Sequence, residues 1–113
     1  MNAAEIKTLL LCYWRFARGC SYVALEFSYG SADVIAATPR GQDIYETEVK
    51  VSTSDMKKEL QKMKHRFAQK GLWGQDTYHL WANYFYFAVP ESIKDRALAI
   101  INNYFPYAGL LVV

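Results

Sequence analysis

Ile44-Tyr45-Glu46-Thr47-Glu48-Val49-Lys50-Val51-Ser52 is the stretch on which the fold turns. On an extended chain, successive side chains point to opposite faces. Tyr45, Val49 and Val51 then fall on one face, and Glu46, Glu48 and Lys50 on the other. The alternation predicts a strand over residues 44–52. Its polar face is unusual, because a half-buried β-branched run does not ordinarily carry Glu48 and Lys50 two residues apart.

Working back toward the N-terminus, Pro39-Arg40-Gly41-Gln42 marks a turn. The mostly apolar run 32–38 predicts a strand interrupted by Asp33. Tyr29-Gly30-Ser31 marks a second turn. Val23, Leu25 and Phe27 alternate with Tyr22, Ala24, Glu26 and Ser28, which predicts a further strand. Short connections make these three strands an antiparallel meander. Before them, Asn2-Ala3-Ala4-Glu5 has the pattern of a capping box. Ile6, Leu9, Leu10, Tyr13 and Phe16 follow at helical spacing, predicting a helix that ends near Arg18 and stops at Gly19.

Working forward, Ser52-Thr53-Ser54-Asp55 punctuates a return to helix. Met56, Leu60, Met63 and Phe67 recur at spacings of four and three, predicting an amphipathic helix to Gly71. Its other faces carry Lys57, Lys58, Lys62, Lys64, His65, Arg66 and Lys70 against one acid, Glu59. Residues 71–83, with Trp73, Asp76, Tyr78, His79 and Trp81, lack a period and are expected to form a loop. The apolar run 84–89 predicts a strand buried on both faces. Pro90 opens a last helix whose stripe is Ile93, Ala97, Ile100, Ile101 and Tyr104. Residues 110–113 complete the pattern as a final strand. The expected order is α-β-β-β-α-β-α-β in a single domain spanning residues 1–113, of α/β (α+β) class, with a mixed central sheet flanked by helices.

The net charge of +2 gives no whole-molecule argument for nucleic acid, so the argument rests on where charge is concentrated. Cys12 and Cys20 form no Cys-x-x-Cys pair and no zinc-type cluster, and are expected to be ordinary reduced thiols. The N-terminus lacks the features of a signal peptide. No apolar run approaches the roughly 18 residues a membrane span requires. The expectation is a cytoplasmic protein without a membrane partner.

The chemistry-bearing candidates are Asp33, Glu48 and Lys50. Pairing of their strands would bring Asp33 beside Glu48. Neighbouring carboxylates repel unless a cation lies between them or one is protonated. Oxygen ligands of this type suit Mg²⁺ or Mn²⁺, and the backbone carbonyl of Val49 is a further candidate ligand. Such a site suits phosphodiester hydrolysis, with Lys50 holding the attacking water or neutralising charge on phosphoryl oxygens. Glu5-Ile6-Lys7 repeats the tripeptide pattern on a helix, where i and i+2 do not share a face. The alternative is a cross-strand ion pair on a solvated sheet face.

Ala32-Asp33-Val34-Ile35-Ala36 followed by Glu48-Val49-Lys50-Val51-Ser52 resembles the PD-(D/E)XK nuclease superfamily. More narrowly, the chain resembles the MmcB-like DNA-repair proteins and related small phage and bacterial nucleases. Ser52, Asp55 and Tyr84-Phe85-Tyr86-Phe87-Ala88-Val89-Pro90 continue that pattern, and the resemblance spans nearly the whole chain. It implies a restriction-endonuclease-like core, Asp33, Glu48 and Lys50 as the catalytic set, and DNA cleavage in repair, recombination or a phage context. The pattern is not complete. Ala32 stands in place of the name-giving proline, Ser31 in place of an arginine, and Gln61-Lys62 in place of a lysine-tryptophan pair.

Other residues have two readings. Glu26 is a further candidate metal ligand or a solvent-facing strand residue. Glu5 is an additional acid or simply half of the capping box. Asp55 caps its helix or borders the site. Lys57, Lys58, Lys62, Lys64, His65 and Arg66 are candidate phosphate contacts, or a solvated helix face. Trp73, Tyr78 and Trp81 stack on bases or pack in a core or dimer contact. Homodimerisation is a further expectation, because one domain of this size grips little DNA. The competing functions are a nucleic-acid-binding module without catalysis and an interaction protein with a structural charge cluster.

Overall fold

A computed structural model of the chain describes residues 1–27, 32–62, 65 and 82–113. The expected turn at Tyr29-Gly30-Ser31 lies outside them, as do Met63, Lys64, the basic residues Arg66 and Lys70, and the aromatic segment up to Trp81.

The N-terminal helix α1 (Ala3–Cys12) is closed by a reciprocal cap. Asn2 Oδ1 accepts from Glu5 N at 2.9 Å, and Glu5 Oε1 accepts from Asn2 N at 3.2 Å. Glu5 is thereby explained by its cap. A π-helical turn (Tyr13–Ala17) follows, and Gly19 takes a left-handed φ of 68° that lets the chain leave the helix. The buried line is Ile6, Leu10 and Trp14, at spacings of four. Leu9 and Phe16 are exposed, contrary to the expected stripe. The wider π turn rotates the face and puts Trp14 inward, where its Nε1 donates to Thr47 Oγ1 at 3.2 Å.

Five strands follow: β1 (Tyr22–Phe27), β2 (Ala32–Ala37), β3 (Ile44–Val49), β4 (Tyr84–Val89) and β5 (Ala108–Val112). They form one sheet in the order β1-β2-β3-β4-β5. The first two ladders are antiparallel, as the short turns require, and the last two are parallel. Each parallel pair is joined by a crossover, the second of them containing α3 (Lys94–Tyr104). Helix α2 (Thr53–Lys58) follows β3, with Ser52 as its N-cap: Ser52 Oγ accepts from Asp55 N at 3.3 Å.

Helices cover the sheet on both sides. On one side α1 packs its Ile6, Leu10 and Trp14 against Val34, Ala36, Val49 and Ala88. On the other, Met56 of α2 and Ala97, Ile100 and Ile101 of α3 pack against Phe85, Phe87 and Val89. Alternation along β4 therefore serves both cores, which is why its sequence reads as a continuous apolar run. The described residues thus form an α+β fold with a five-stranded mixed sheet and three helices.

The unbroken helix expected through residue 71 is interrupted at residues 59–62. Helix α2 ends at Lys58, and a 3₁₀ turn (Glu59–Gln61) follows. Lys62 then adopts an extended conformation. Glu59, expected on a solvated face, is turned inward and fully buried. Tyr104, expected in the α3 stripe, is exposed.

Candidate active site

Register decides where the candidate residues meet. Val34 pairs with Thr47 and Ile35 with Glu46, so one step further sets Asp33 opposite Glu48. The backbone ladder ends at the Val34–Thr47 pair, and beyond it the Asp33 side chain takes over from the backbone. Its Oδ2 accepts from Val49 N at 2.8 Å. Asp33 is thereby tied to the Glu48-Val49-Lys50 segment, half-buried at the mouth between β2 and β3.

Glu46 and Glu48 pair with Phe85 and Phe87, so they point to the side covered by α2 and α3. Both are buried, Glu48 at 2% exposure, rather than lying on a solvated sheet face. A buried carboxylate requires a partner. Lys62 Nζ supplies one, donating to Glu48 Oε1 at 3.2 Å. Burial opposes the charge of Lys62, but Glu59 and Glu48 outweigh it and raise its pKa above the usual lysine value.

Asp33 has a cationic neighbour as well. Lys7 of α1 lies 3.7 Å from Asp33 Oδ1 and pairs with Glu26, and these two acids raise its pKa, Glu26 foremost. The Glu26 side chain is 65% exposed. Its backbone takes φ 56°, a left-handed conformation that costs a non-glycine residue about 1–2 kcal/mol. The register passes there from Leu25↔Val34 to Phe27↔Ala32, leaving Glu26 alongside Asp33.

Lys50 follows β3, its backbone N donating to Ala88 O at 3.0 Å. Its ammonium turns to Glu59 Oε1, 2.7 Å away. Lys62 reaches the same oxygen at 2.8 Å. The other oxygen, Glu59 Oε2, accepts from His65 Nε2 at 2.8 Å. Burial alone would raise the pKa of Glu59, but His65, Lys50 and Lys62 reverse this and hold it well below the usual carboxylate range. Glu59 is the residue that sequence reasoning missed. The signal available was its position as the lone acid among the basic residues 57–70.

Two assignments on that segment change. His65 is fully buried, with its second nitrogen 2.8 Å from Tyr107 Oη, so the structure does not present it to a phosphate. Lys62 is half-buried and committed to Glu48 and Glu59. Lys57 and Lys58 are exposed as expected. Lys64 and Arg66 lie outside the described residues.

Among the described residues, no group of three or more His, Cys, Asp or Glu side chains is gathered for a metal ion. The available donor set is the pair Asp33 and Glu48 with the Val49 carbonyl. Oxygen donors of this number fit Mg²⁺, which is commonly held by one or two carboxylates and keeps its remaining positions for water and phosphate. Cys12 and Cys20 are both free, the second raised in pKa by burial. Among the described residues, no helix is long and apolar enough to cross a membrane. No protein-family model, curated protein or solved structure matches the chain.

Proposed function

We propose that this chain is a metal-dependent nuclease of restriction-endonuclease-like fold, hydrolysing phosphodiester bonds in DNA. The observation that carries this reading is the Asp33–Val49 hydrogen bond, which ties one carboxylate to the strand segment bearing Glu48 and Lys50. Asp33, Glu48 and the Val49 carbonyl would hold Mg²⁺ or Mn²⁺. Such an ion supplies Lewis-acid polarisation of a phosphate and a lowered pKa for a bound water. Lys7 and Lys62 balance the two carboxylates electrostatically. Lys50, 16% exposed in its side chain, would neutralise charge on the phosphoryl oxygens. Lys57 and Lys58, exposed on α2, offer phosphate contacts. A homodimer would extend the grip on DNA.

A second reading draws on a different observation. Lys50 and Lys62 both pair with Glu59, and Lys62 also pairs with Glu48, which forms a buried charge cluster. In a binding or assembly protein that cluster would be purely structural. Metal titration separates the two. The nuclease reading predicts Mn²⁺ binding that is lost in Asp33→Ala and Glu48→Ala, together with metal-dependent DNA cleavage lost in the same variants. Cleavage unchanged in both variants would sink it.

A further inference from the structure

Glu59 holds more partners than a structural ion pair needs. Its carboxylate meets Lys50 and Lys62 on one oxygen and His65 on the other. With Glu59 ionised, His65 Nε2–H donates to it, and Nδ1 on the other side of the ring shares a hydrogen bond with the Tyr107 hydroxyl 2.8 Å away. The His65 ring is boxed edge-on by Phe85 and Phe105, at centroid distances of 4.7 and 5.1 Å. Tyr107 lies just before β5, so the chain of contacts runs from that end of the crossover through the core to Lys50.

A lysine ammonium on a flexible four-carbon stem loses rotamer entropy when it is held in one place. Fixing it before substrate arrives removes that cost from the reaction. The ion pair with Glu59 holds Lys50 by charge and proximity on its buried side, although Glu59 Oε1 is not aligned as a hydrogen-bond acceptor, while part of the Lys50 side chain remains exposed. We propose that Glu59, braced by His65 and Tyr107, is a positioning residue that sets the Lys50 ammonium for phosphodiester hydrolysis. The proposal rests on the nuclease reading of Lys50. A cluster that only stabilises the core would weaken the fold when altered, but its effect on turnover would not depend on Lys50.

The experiment is a double-mutant cycle in the full chain: wild type, Glu59→Gln, Lys50→Ala and the double variant. Tyr107→Phe accompanies them as a milder change that removes only a hydroxyl. Steady-state DNA cleavage is measured in Mn²⁺, together with the NMR signals of ¹⁵N-labelled lysine ammonium groups in metal-free protein. Glu59→Gln is expected to lower kcat about 10–100-fold, the usual cost of losing a supporting partner. KM is expected to change little, Tyr107→Phe to lower kcat by a smaller factor, and the double variant to be no slower than Lys50→Ala. A sharp ammonium signal, assigned by its loss in Lys50→Ala, is expected to vanish in Glu59→Gln. Equal losses from Glu59→Gln with and without Lys50 would overturn the proposal, as would an unchanged ammonium signal. If Glu59→Gln does not fold, an unchanged signal and unchanged kcat in Tyr107→Phe would overturn it. Wild-type protein that cleaves nothing, but loses the signal in Glu59→Gln, would refute the nuclease reading and leave the fixing of Lys50 by Glu59 supported.

Discussion

Asp33 Oδ2 accepts a hydrogen bond from Val49 N at 2.8 Å, so a side chain of β2 replaces a rung of the ladder to β3. An asparagine can keep this bond through its carbonyl oxygen while losing the charge. Asp33→Asn is therefore expected to leave the fold intact and to weaken Mn²⁺ binding by about tenfold or more, the scale of one lost charged ligand contact of about 1.4 kcal/mol. Calorimetric titration with Mn²⁺ and a thermal melt check the two halves. Unchanged affinity would remove Asp33 from the metal set.

The Glu59 carboxyl has a depressed folded-state pKa. Its contribution to stability is therefore present above the unfolded value of 4.5 and is lost as the pH falls below that value toward the folded one. Lys50, Lys62 and His65 face it and are its partners. Denaturant unfolding from pH 6 to acid should show a shallower decline below about pH 4.5 in Glu59→Gln than in wild type. At neutral pH the variant should be less stable by about 3 kcal/mol, the lower end for breaking a buried pair, because the two lysines can turn to solvent.

Lys57 and Lys58 are the exposed cations that the structure leaves on α2. The Lys58–Asp55 contact of 3.8 Å is exposed and competes weakly with a phosphate. If DNA lies across this face, each alanine variant should weaken binding to all sequences alike. Each should also reduce the slope of log affinity against log salt by about 1. Fluorescence anisotropy at several salt concentrations reads both. An unchanged slope would place the DNA elsewhere.

Gly109 of β5 faces Tyr86 of β4, and a Cβ at that position would come within 2.5 Å of the tyrosine ring. Gly109→Ala must push the ring aside within the aromatic group of Trp14, Tyr45 and Tyr86. A cost of about 1–3 kcal/mol is expected, as for other overpacked cores. A thermal melt within 1 °C of wild type would contradict this packing.

Much of this architecture could be read from the residues. The alternation around Glu48, the short turns before it and the unbroken run at residues 84–89 led to a meander followed by a strand buried on both faces, as found. The Asn2–Glu5 cap was equally legible because it is local. What escaped were features set by tertiary contacts. Glu46 and Glu48 alternate like solvent-facing residues, but helices on that side cover them. Glu59 sat on the polar side of a helical wheel that the chain abandons after Lys58 in favour of a 3₁₀ turn. His65 looked like a member of a basic surface because its partner Tyr107 is 42 residues away. Trp14 was hidden by the π turn, which no fixed period of 3.6 can register.

Nuclease activity is tested by cleavage of plasmid, linear duplex, branched and single-stranded DNA in Mg²⁺ or Mn²⁺, with Lys50→Ala alongside. Metal-dependent cleavage of at least one substrate by wild type, and its loss in the variant, is the outcome expected of a nuclease built on this site. Cleavage equally fast in Lys50→Ala, or none by wild type on any substrate in either metal, would contradict it.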